Sequence, residues 1–396
     1  MKVIKKSYYA KRISPLDGEY FFGYYDLQPF NGNLHLTHKV ANADKLHERG
    51  DVAEIGLLDI NTEKYERLDT TGAWCFQQGA MLQWNPLAPE DEVIYNSLGD
   101  GDYNATILNI HTGKKRFLDR PVANVSPKGD YALSINMGRL YDFRPGYGYA
   151  EYGDPFYWKN HSAEDGIFLT DMKTGKSRLI ISMEQIWEFS KGYFGGKDQK
   201  LVVNHITFNT DGSRFLFLVR NFPEPGKGHA TAIITANTDG SDMFLLSDYG
   251  IQSHYFWLDK EHVIFYSDGK ELACSRGKAS NYILKDKTYE GEMVGGGYFN
   301  RDNHMSYSPD RKLMITDTYP DLRIMQPLKA ISSEMDLCVE LGRFYSMKRS
   351  VTDLRCDLHP RWNKDGSMIS FDSTHEGQRG VYVMDMEQVK EEFFRE

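Results

Sequence analysis

Four histidines occupy equivalent places in a phrase that recurs along the second half of the chain. Each stands three residues before an aromatic side chain: His205, His254, His304 and His359. The chain has only 12 histidines in 396 residues, so four equivalent placements are improbable by chance. Imidazole can bind a divalent metal or act as a general base near neutral pH. A purely structural role, in which each ring holds a turn by hydrogen bonds, is the alternative.

Asp357 lies two residues before His359. In a β-strand, residues i and i+2 point to the same face, so this spacing predicts that Asp357 and His359 bind one ion together. We expect His304 to be the third metal ligand, with His205 or His254 nearby. Imidazole and carboxylate ligands suit a first-row divalent ion such as Mn or Zn, and Ca is a further alternative. An ion pair of Asp357 with a neighbouring arginine is the competing interpretation.

Arginine and aromatic side chains accompany the histidines. Arg220 ends the predicted strand after His205, Arg144 lies in a segment rich in glycine and tyrosine, and Arg355 is close to Asp357. Guanidinium groups favour paired contacts with carboxylates, and Tyr255 could stack on a sugar ring. We therefore list Arg355, Arg144 and Tyr255 as candidate substrate-binding residues, although most arginines in any protein are simply solvated.

The elements that position these side chains follow from the repeat. The phrase occurs seven times, and most copies lead into alternating strands joined by Asp-Gly or Thr-Gly turns, which indicate hairpins. Four antiparallel strands in each unit of about 40 to 50 residues are typical of a propeller blade. The sequence thus predicts an all-β, seven-bladed β-propeller of four-stranded antiparallel blades, in which the first strands line a central channel.

We expect residues 1–396 to form one propeller domain. The segments near 139–160 and 183–200 break the rhythm of the repeat and are predicted insertions, the first of them lining a mouth of the channel. The segment Ser7–Ile13 has no hairpin partner nearby, so we expect it to complete the last blade.

Composition narrows the class of partner. The net charge is −9, and no basic run could follow a phosphate backbone, so nucleic acid is not an expected partner. No stretch of about 18 apolar residues exists, so we expect no membrane span. The basic N-terminus lacks an apolar segment and a cleavage site, which predicts a cytoplasmic protein. The oligomeric state is not predicted.

Three segments of the chain resemble the oligogalacturonate lyases, a family of seven-bladed propellers. Ser253-His254-Tyr-Phe-Trp257 resembles the family's catalytic-blade segment, and Asn303-His304-Met-Ser resembles the segment that supplies its first metal histidine. Asp357-Leu-His359-Pro resembles its His-Pro-His-Pro stretch. The resemblance is distant and is strongest from about residue 205 to 380.

This resemblance implies manganese held by three histidines and one glutamine, and cleavage of short uronate chains by β-elimination. It assigns His304 and His359 as metal ligands and His254 as a catalytic or substrate-binding residue, and we add His205 and Arg220 as catalytic candidates. The chain departs from the family in two ways. Asp357 stands where the family has a histidine, with no glutamine shortly before it, and the family's catalytic arginine has no clear counterpart, so Arg220 or His229 would have to replace it.

Three classes of function follow. The first is a metal-assisted lyase that acts on an acidic oligosaccharide. The second is a different sugar-active enzyme, such as a hydrolase; the blade heads offer few acids for a two-carboxylate mechanism, only Asp26 and Asp357. The third is a non-catalytic propeller that serves as a binding or assembly platform. Fold alone does not separate these classes.

Overall fold

The hairpins of the repeat assemble into seven sheets in the computed structural model. The structure describes residues 1–191, 199–222, 228–275, 277–332, 334–348 and 351–394. Within each sheet, strands that follow one another in the chain pair in antiparallel fashion, and two strands from the N-terminus join the sheets of blades six and seven. The predicted seven-bladed β-propeller is therefore confirmed.

The strands of the first four blades are bounded as follows. Blade one contains Glu19–Phe21, Phe30–Asn31, Leu34–Val40, Ala53–Asp59 and Tyr65–Thr71. Blade two contains Gln83–Trp84, Glu92–Leu98, Tyr103–Asn109 and Lys115–Leu118. Blade three contains Asn124–Val125, Tyr131–Ser134, Gly166–Asp171 and Ser177–Ser182. Blade four contains Lys200–Phe208, Arg214–Phe222, Ala230–Asn237 and Phe244–Gly250.

The last three blades complete the ring. Blade five contains Gln252–Trp257, His262–Ser267, Ser280–Lys285 and Gly291–Met293. Blade six contains Met305–Tyr307, Met314–Asp317, Met325–Ser332 and Leu337–Tyr345, with Lys2–Lys5 as a fifth, parallel strand. Blade seven contains Arg361–Trp362, Met368–Ser373, Gly380–Asp385 and, from the start of the chain, Lys11–Arg12.

The N-terminal segment closes the ring. Lys11 pairs with Val383 and Arg12 with Tyr382 in antiparallel register, so a strand from the beginning of the chain becomes the outermost strand of blade seven. The expectation for Ser7–Ile13 is confirmed. This pairing covers an edge that would otherwise present unpaired backbone groups.

Blade faces are buried against neighbouring blades rather than against a separate core. All nine residues of Arg214–Phe222 are buried, because a central strand of a blade is covered on both faces by the sheets beside it. The strand therefore reads as a nearly continuous apolar run, Phe-Leu-Phe-Leu-Val, instead of an alternating one. The blades accordingly depend on one another for burial.

The innermost strand of blade one is interrupted. Glu19–Phe21 and Phe30–Asn31 pair with the two ends of the same strand, Leu34–Val40. The residues between them leave the sheet, and Tyr24 and Tyr25 contact histidine rings from other blades.

Helices are few and lie mainly in the predicted insertions. The described α-helices are Met137–Phe143, Met183–Ser190 and Glu387–Phe394, and short 3₁₀ turns occupy Val294–Gly297 and Thr352–Leu354. Ser182 and Gln185 form a capping box at the start of the second helix, which satisfies backbone donors there. Residues 192–198 of the second insertion lie outside the described residues. Among the helices described, none is long and apolar enough to span a membrane.

Candidate metal centre and active site

His304, Asp357 and His359 converge at the head of blades six and seven. One ligand atom from each lies within 4.8 Å of the others, and all three side chains are buried. The Nε2 atoms of His304 and His359 are 3.2 Å apart. The three predicted ligands are therefore close enough to share one ion.

The two imidazoles suit a cation between them. The Nδ1 atom of His304 is hydrogen-bonded to Asp317, which leaves the Nε2 lone pair facing the Nε2 atom of His359. Nitrogen ligands at about 2.1 Å from one metal lie roughly 3.0–3.4 Å from each other in octahedral or tetrahedral geometry, and the observed 3.2 Å falls in this range. The carboxylates of Asp357, Asp317 and Asp302 add negative charge: although burial lowers the pKa of His304, these carboxylates outweigh it and raise that pKa.

Asp317, the last residue of the second strand of blade six, holds both histidines. Its Oδ1 accepts hydrogen bonds from Nδ1 of His304 at 2.7 Å and from the backbone N–H of the same residue at 3.1 Å. Its Oδ2 accepts from the backbone N–H of His359 at 3.1 Å. A carboxylate on the far nitrogen of a metal-binding histidine fixes the ring and its tautomer. Asp317 is thus a positioning residue for two ligands from different blades.

Two of the four histidines, His205 and His359, have a left-handed backbone conformation. His205 has φ +49° and His359 has φ +44°, and at His205 the pairing of the first two strands of blade four is interrupted by a bulge. Non-glycine residues rarely adopt this conformation outside functional or strained positions. Met81, at the equivalent place in blade two, has φ +53°, so the distortion belongs to the repeated phrase.

Asp357 and His359 do not lie on one strand, contrary to the prediction from their spacing. Residues 355–360 are not in a strand, so the i, i+2 spacing does not place Asp357 and His359 on one strand face. They converge because the chain turns at His359. Arg355 also pairs with Asp357, with its Nε atom 2.8 and 3.0 Å from the two carboxylate oxygens. The predicted ion pair of Asp357 is therefore present, and it is compatible with the proximity of Asp357 to His304 and His359.

His254 packs against His304, one of the three metal-ligand candidates. Its ring centroid lies 4.0 Å from that of His304, and its Nδ1 atom is 3.0 Å from Oδ1 of Asp302. Burial lowers the pKa of His254, against the opposing charge of Asp302. With Nδ1–H donated to Asp302, the Nε2 atom carries a lone pair and can accept a proton or a ligand.

His205 lies beside the same cluster. Its ring stacks on Tyr24 at a centroid distance of 4.4 Å, and its Nδ1 atom is 3.3 Å from Nε2 of Gln78. Burial, and then the charge of Arg220, lower the pKa of His205 well below its usual value. The Nε2 atom is buried and has no hydrogen-bond partner among the described residues. His205 is therefore a neutral imidazole with one nitrogen available.

Guanidinium groups surround Tyr147, which lies edge-on to His205. Arg144 stacks over the Tyr147 ring at 3.9 Å, and Arg355 donates to the Tyr147 hydroxyl at 2.9 Å. The first predicted insertion therefore reaches the histidine cluster, as expected for a segment lining the mouth. Its contribution is one aromatic ring held between two cations.

Arg220 adds a third cation. It donates to Oδ1 of Asn204 at 2.9 Å, and its terminal nitrogen is 2.9 Å from Nε2 of His229. Burial, and then the charge of Arg144, lower the pKa of Arg220 to about 10. Arg355 is paired with Asp357, whereas Arg144 and Arg220 have no carboxylate partner among the described residues. Their positive charge favours an anionic ligand.

Tyr255 does not join the cluster. Its hydroxyl is 2.8 Å from the Thr207 hydroxyl, and its ring lines a separate cavity with Asp26. It follows His254 by one residue on a strand, so its side chain points to the other face. Its predicted role in binding the same substrate is not supported by this placement.

Sequence reasoning missed four residues of the site: Asp302, Asp317, Gln78 and Tyr147. Only Asp302, two residues before His304, carried a local signal. The other three come from a strand end, a different blade and an insertion, so their proximity depends on closure of the ring.

Comparisons with known proteins bear on the fold. No protein-family model and no curated protein sequence matches the chain. An oligogalacturonate lyase solved in complex with manganese is 16% identical, with a TM-score of 0.66 over 95% of this chain and 92% of that one. An oligogalacturonate lyase from Vibrio parahaemolyticus is 14% identical, with a TM-score of 0.66 over 96% and 94%.

A prolyl endopeptidase is matched more weakly, at 9% identity and a TM-score of 0.50, over 93% of this chain and 50% of that one. Identities this low show the fold alone, because one fold hosts many activities. In fold, and over nearly its whole length, this chain is similar to the oligogalacturonate lyases.

Proposed function

We propose that the protein is a metal-assisted lyase that cleaves uronate-containing oligosaccharides by β-elimination, with manganese as its metal. The observation that carries the proposal is the convergence of His304, Asp357 and His359 on one point. The fold similarity to an oligogalacturonate lyase solved with manganese supports the same assignment.

The charges around the site support an acidic substrate. Arg144 and Arg355 contact Tyr147, which lies against His205, and Arg220 bonds to Asn204, the residue before His205. Guanidinium groups bind carboxylates through paired hydrogen bonds, and an aromatic ring between them offers a face to a sugar. Each residue of a uronate chain has a carboxylate for the guanidinium groups and a sugar ring for the aromatic face.

The side chains suit proton transfer at C5 of a uronate. A divalent ion bound at His304, Asp357 and His359 would withdraw charge from the sugar carboxylate and acidify the C5 proton. His254 takes that proton on Nε2, because its Nδ1 is held by Asp302. The electrons of the C5–H bond form the C4–C5 double bond, and the C4–O4 bond breaks. The departing oxygen takes up a proton from water, and His254 afterwards releases the C5 proton to solvent, which restores the neutral base. Arg220 or Arg355 stabilises the negative charge that develops in between.

His205 is the alternative base. Burial lowers its pKa and leaves one nitrogen unpartnered, but no carboxylate among the described residues bonds to it to stabilise the imidazolium that proton transfer creates. Asp302 gives His254 that stabilisation, so we assign the base to His254 and a substrate-orienting role to His205.

The test is a screen of acidic oligosaccharides for new ultraviolet absorbance from an unsaturated uronate, with chelator-treated and manganese-reloaded protein compared side by side. We expect absorbance to grow only with reloaded protein. Metal binding without an unsaturated product from any uronate would favour a binding platform, and new reducing ends without absorbance would favour a hydrolase.

A further inference from the structure

A cavity of about 170 Å³ lies on one face of blade six. The segment that leads in from blade five contributes Tyr298 and Arg301 to its wall, and the strands of blade six contribute Thr316 and Lys329. Thr316 and Lys329 are partners across adjacent antiparallel strands, so their side chains point to the same face of the sheet. None of the proposed metal ligands lines this cavity, which is therefore separate from the histidine cluster.

Two cations at this cavity have no counter-ion. Among the described residues, the side chains of Arg301 and Lys329 form neither an ion pair nor a hydrogen bond. The Lys329 ammonium is half-buried, 5.0 Å from the centroid of the Tyr298 ring. Burial lowers the pKa of Lys329, and the charges of Arg343 and Arg301 lower it further, against the opposing effect of Cys338. An anion bound beside Lys329 would replace the water that burial removes.

The carboxylates of this region are already paired with Arg343. Its Nε and Nη2 donate to the two oxygens of Glu340 at 2.9 and 3.0 Å, and its Nη1 donates to Asp321 at 3.1 Å. Asp321 also accepts two backbone N–H groups of its own turn. Glu340 and Asp321 are therefore engaged elsewhere, and neither forms an ion pair with Arg301 or Lys329.

The donors that line the cavity suit a phosphate group. Thr318 adds a hydroxyl and Asn300 an amide to the guanidinium of Arg301 and the ammonium of Lys329, so four side chains can donate hydrogen bonds. A phosphate group presents three acceptor oxygens even when it is esterified, and both arginine and lysine bind phosphate through charge-assisted hydrogen bonds. The volume is below the roughly 300–1,000 Å³ typical of sites for drug-sized ligands, so the ligand must be small.

We infer that this cavity binds a phosphate group, either as the free ion or as the ester of a small molecule. Arg301 and Lys329 neutralise its charge, and Thr318 and Asn300 donate to its oxygens. The site does not depend on the histidine cluster or on the proposed elimination.

The probes are inorganic phosphate, glycerol 3-phosphate and acetate, titrated calorimetrically into the full chain at constant ionic strength without added metal. We expect the better of the two phosphates to bind roughly tenfold or more tightly than acetate. Lys329→Gln and Arg301→Gln should each weaken that binding by roughly tenfold, whereas Lys329→Arg keeps the charge and should retain most of it. Tighter binding of glycerol 3-phosphate would identify an ester as the ligand, and tighter binding of inorganic phosphate would identify the free ion.

Lys312→Gln and Arg323→Gln are the matched controls, because they remove exposed cations of the same blade that do not line the cavity. Both should bind phosphate like the wild type. Thermal unfolding of each variant without ligand shows whether it is folded, and the exposed position of Arg301 keeps the test valid if Lys329→Gln does not fold. Absence of phosphate binding to folded wild type would overturn the inference. So would acetate binding as tight as that of phosphate, or phosphate binding that is unchanged in Arg301→Gln.

Discussion

Asp317 bonds to both histidine ligand candidates. It holds the ring of His304 and the backbone of His359. We predict that Asp317→Asn weakens manganese affinity by about 10- to 100-fold, the usual effect of losing such a partner. Calorimetric titration of manganese into chelator-treated protein measures the change.

Asp310→Asn is the control for this substitution, because Asp310 lies in the same blade and its exposed side chain bonds only to its own turn. It should bind manganese normally. Equal affinities in the two variants would mean that Asp317 does not position the ligands.

His254 and His304 should separate chemistry from metal binding. We predict that His254→Ala lowers turnover by on the order of 100-fold or more, the range for a lost general base, with metal content unchanged. His304→Ala should lose metal and activity together. Elemental analysis and the absorbance assay measure both. Full activity in His254→Ala would remove it from the mechanism.

The insertion near 139–160 contributes Tyr147 to the site, where Tyr147 contacts His205 and Arg355. Tyr147→Phe keeps the ring against His205 and removes the hydroxyl that accepts from Arg355. Hydrogen bonds to charged groups contribute about 1.5–3 kcal/mol, so we predict a loss of roughly 10- to 100-fold in kcat/KM on the uronate substrate.

Tyr141→Phe is the matched control, because its hydroxyl bonds to the backbone of His47 and not to a site residue. Steady-state kinetics of the two variants should differ. If both keep wild-type kcat/KM, Arg355 does not need Tyr147 for substrate binding.

For the whole molecule, closure of the ring is the feature on which every blade depends. A variant that begins at Ile13 loses the closing strand of blade seven and the fifth strand of blade six. We predict a loss in the free energy of unfolding on the order of 5 kcal/mol, measured by urea denaturation. Removing only residues 1–6 keeps the closing strand and should cost clearly less; equal losses would contradict this role.

Acid should destabilise the propeller through buried histidine. Burial, and then the charge of Arg361, lower the pKa of His35 to about 3, whereas in the unfolded chain it is near 6.5. The unfolded state therefore binds more protons, so stability that is present above pH 6.5 is lost as the pH falls toward 3.

His35→Leu removes this proton uptake. Between pH 7 and pH 5, wild type should lose about 2 kcal/mol more of its unfolding free energy than the variant, from about 1.4 kcal/mol per pH unit. His111→Gln, at an exposed position, should behave like the wild type. Parallel losses in all three proteins would show that His35 does not carry the effect.

The blade count was predictable because each hairpin is encoded locally. Turn residues and the phrase around His205, His304 and His359 recur within every 40 to 50 residues, and a blade needs little more than its own strands to be recognised. The same recurrence placed four histidines at equivalent positions and so pointed to a shared site. The blade count and the equivalent positions of the histidines depend on short stretches of chain, so they can be predicted without knowing the fold.

The rest of the site depends on the closed ring and on backbone angles that residue types do not reveal. Asp317 joins His304 and His359 across two blades, and Gln78 reaches His205 from 127 residues away. His359 turns toward His304 through a left-handed φ that the strand-spacing argument did not foresee. These contacts form only when the ring closes, because closure brings distant segments together. The packing of the closed ring also offsets the free energy cost of the strained backbone.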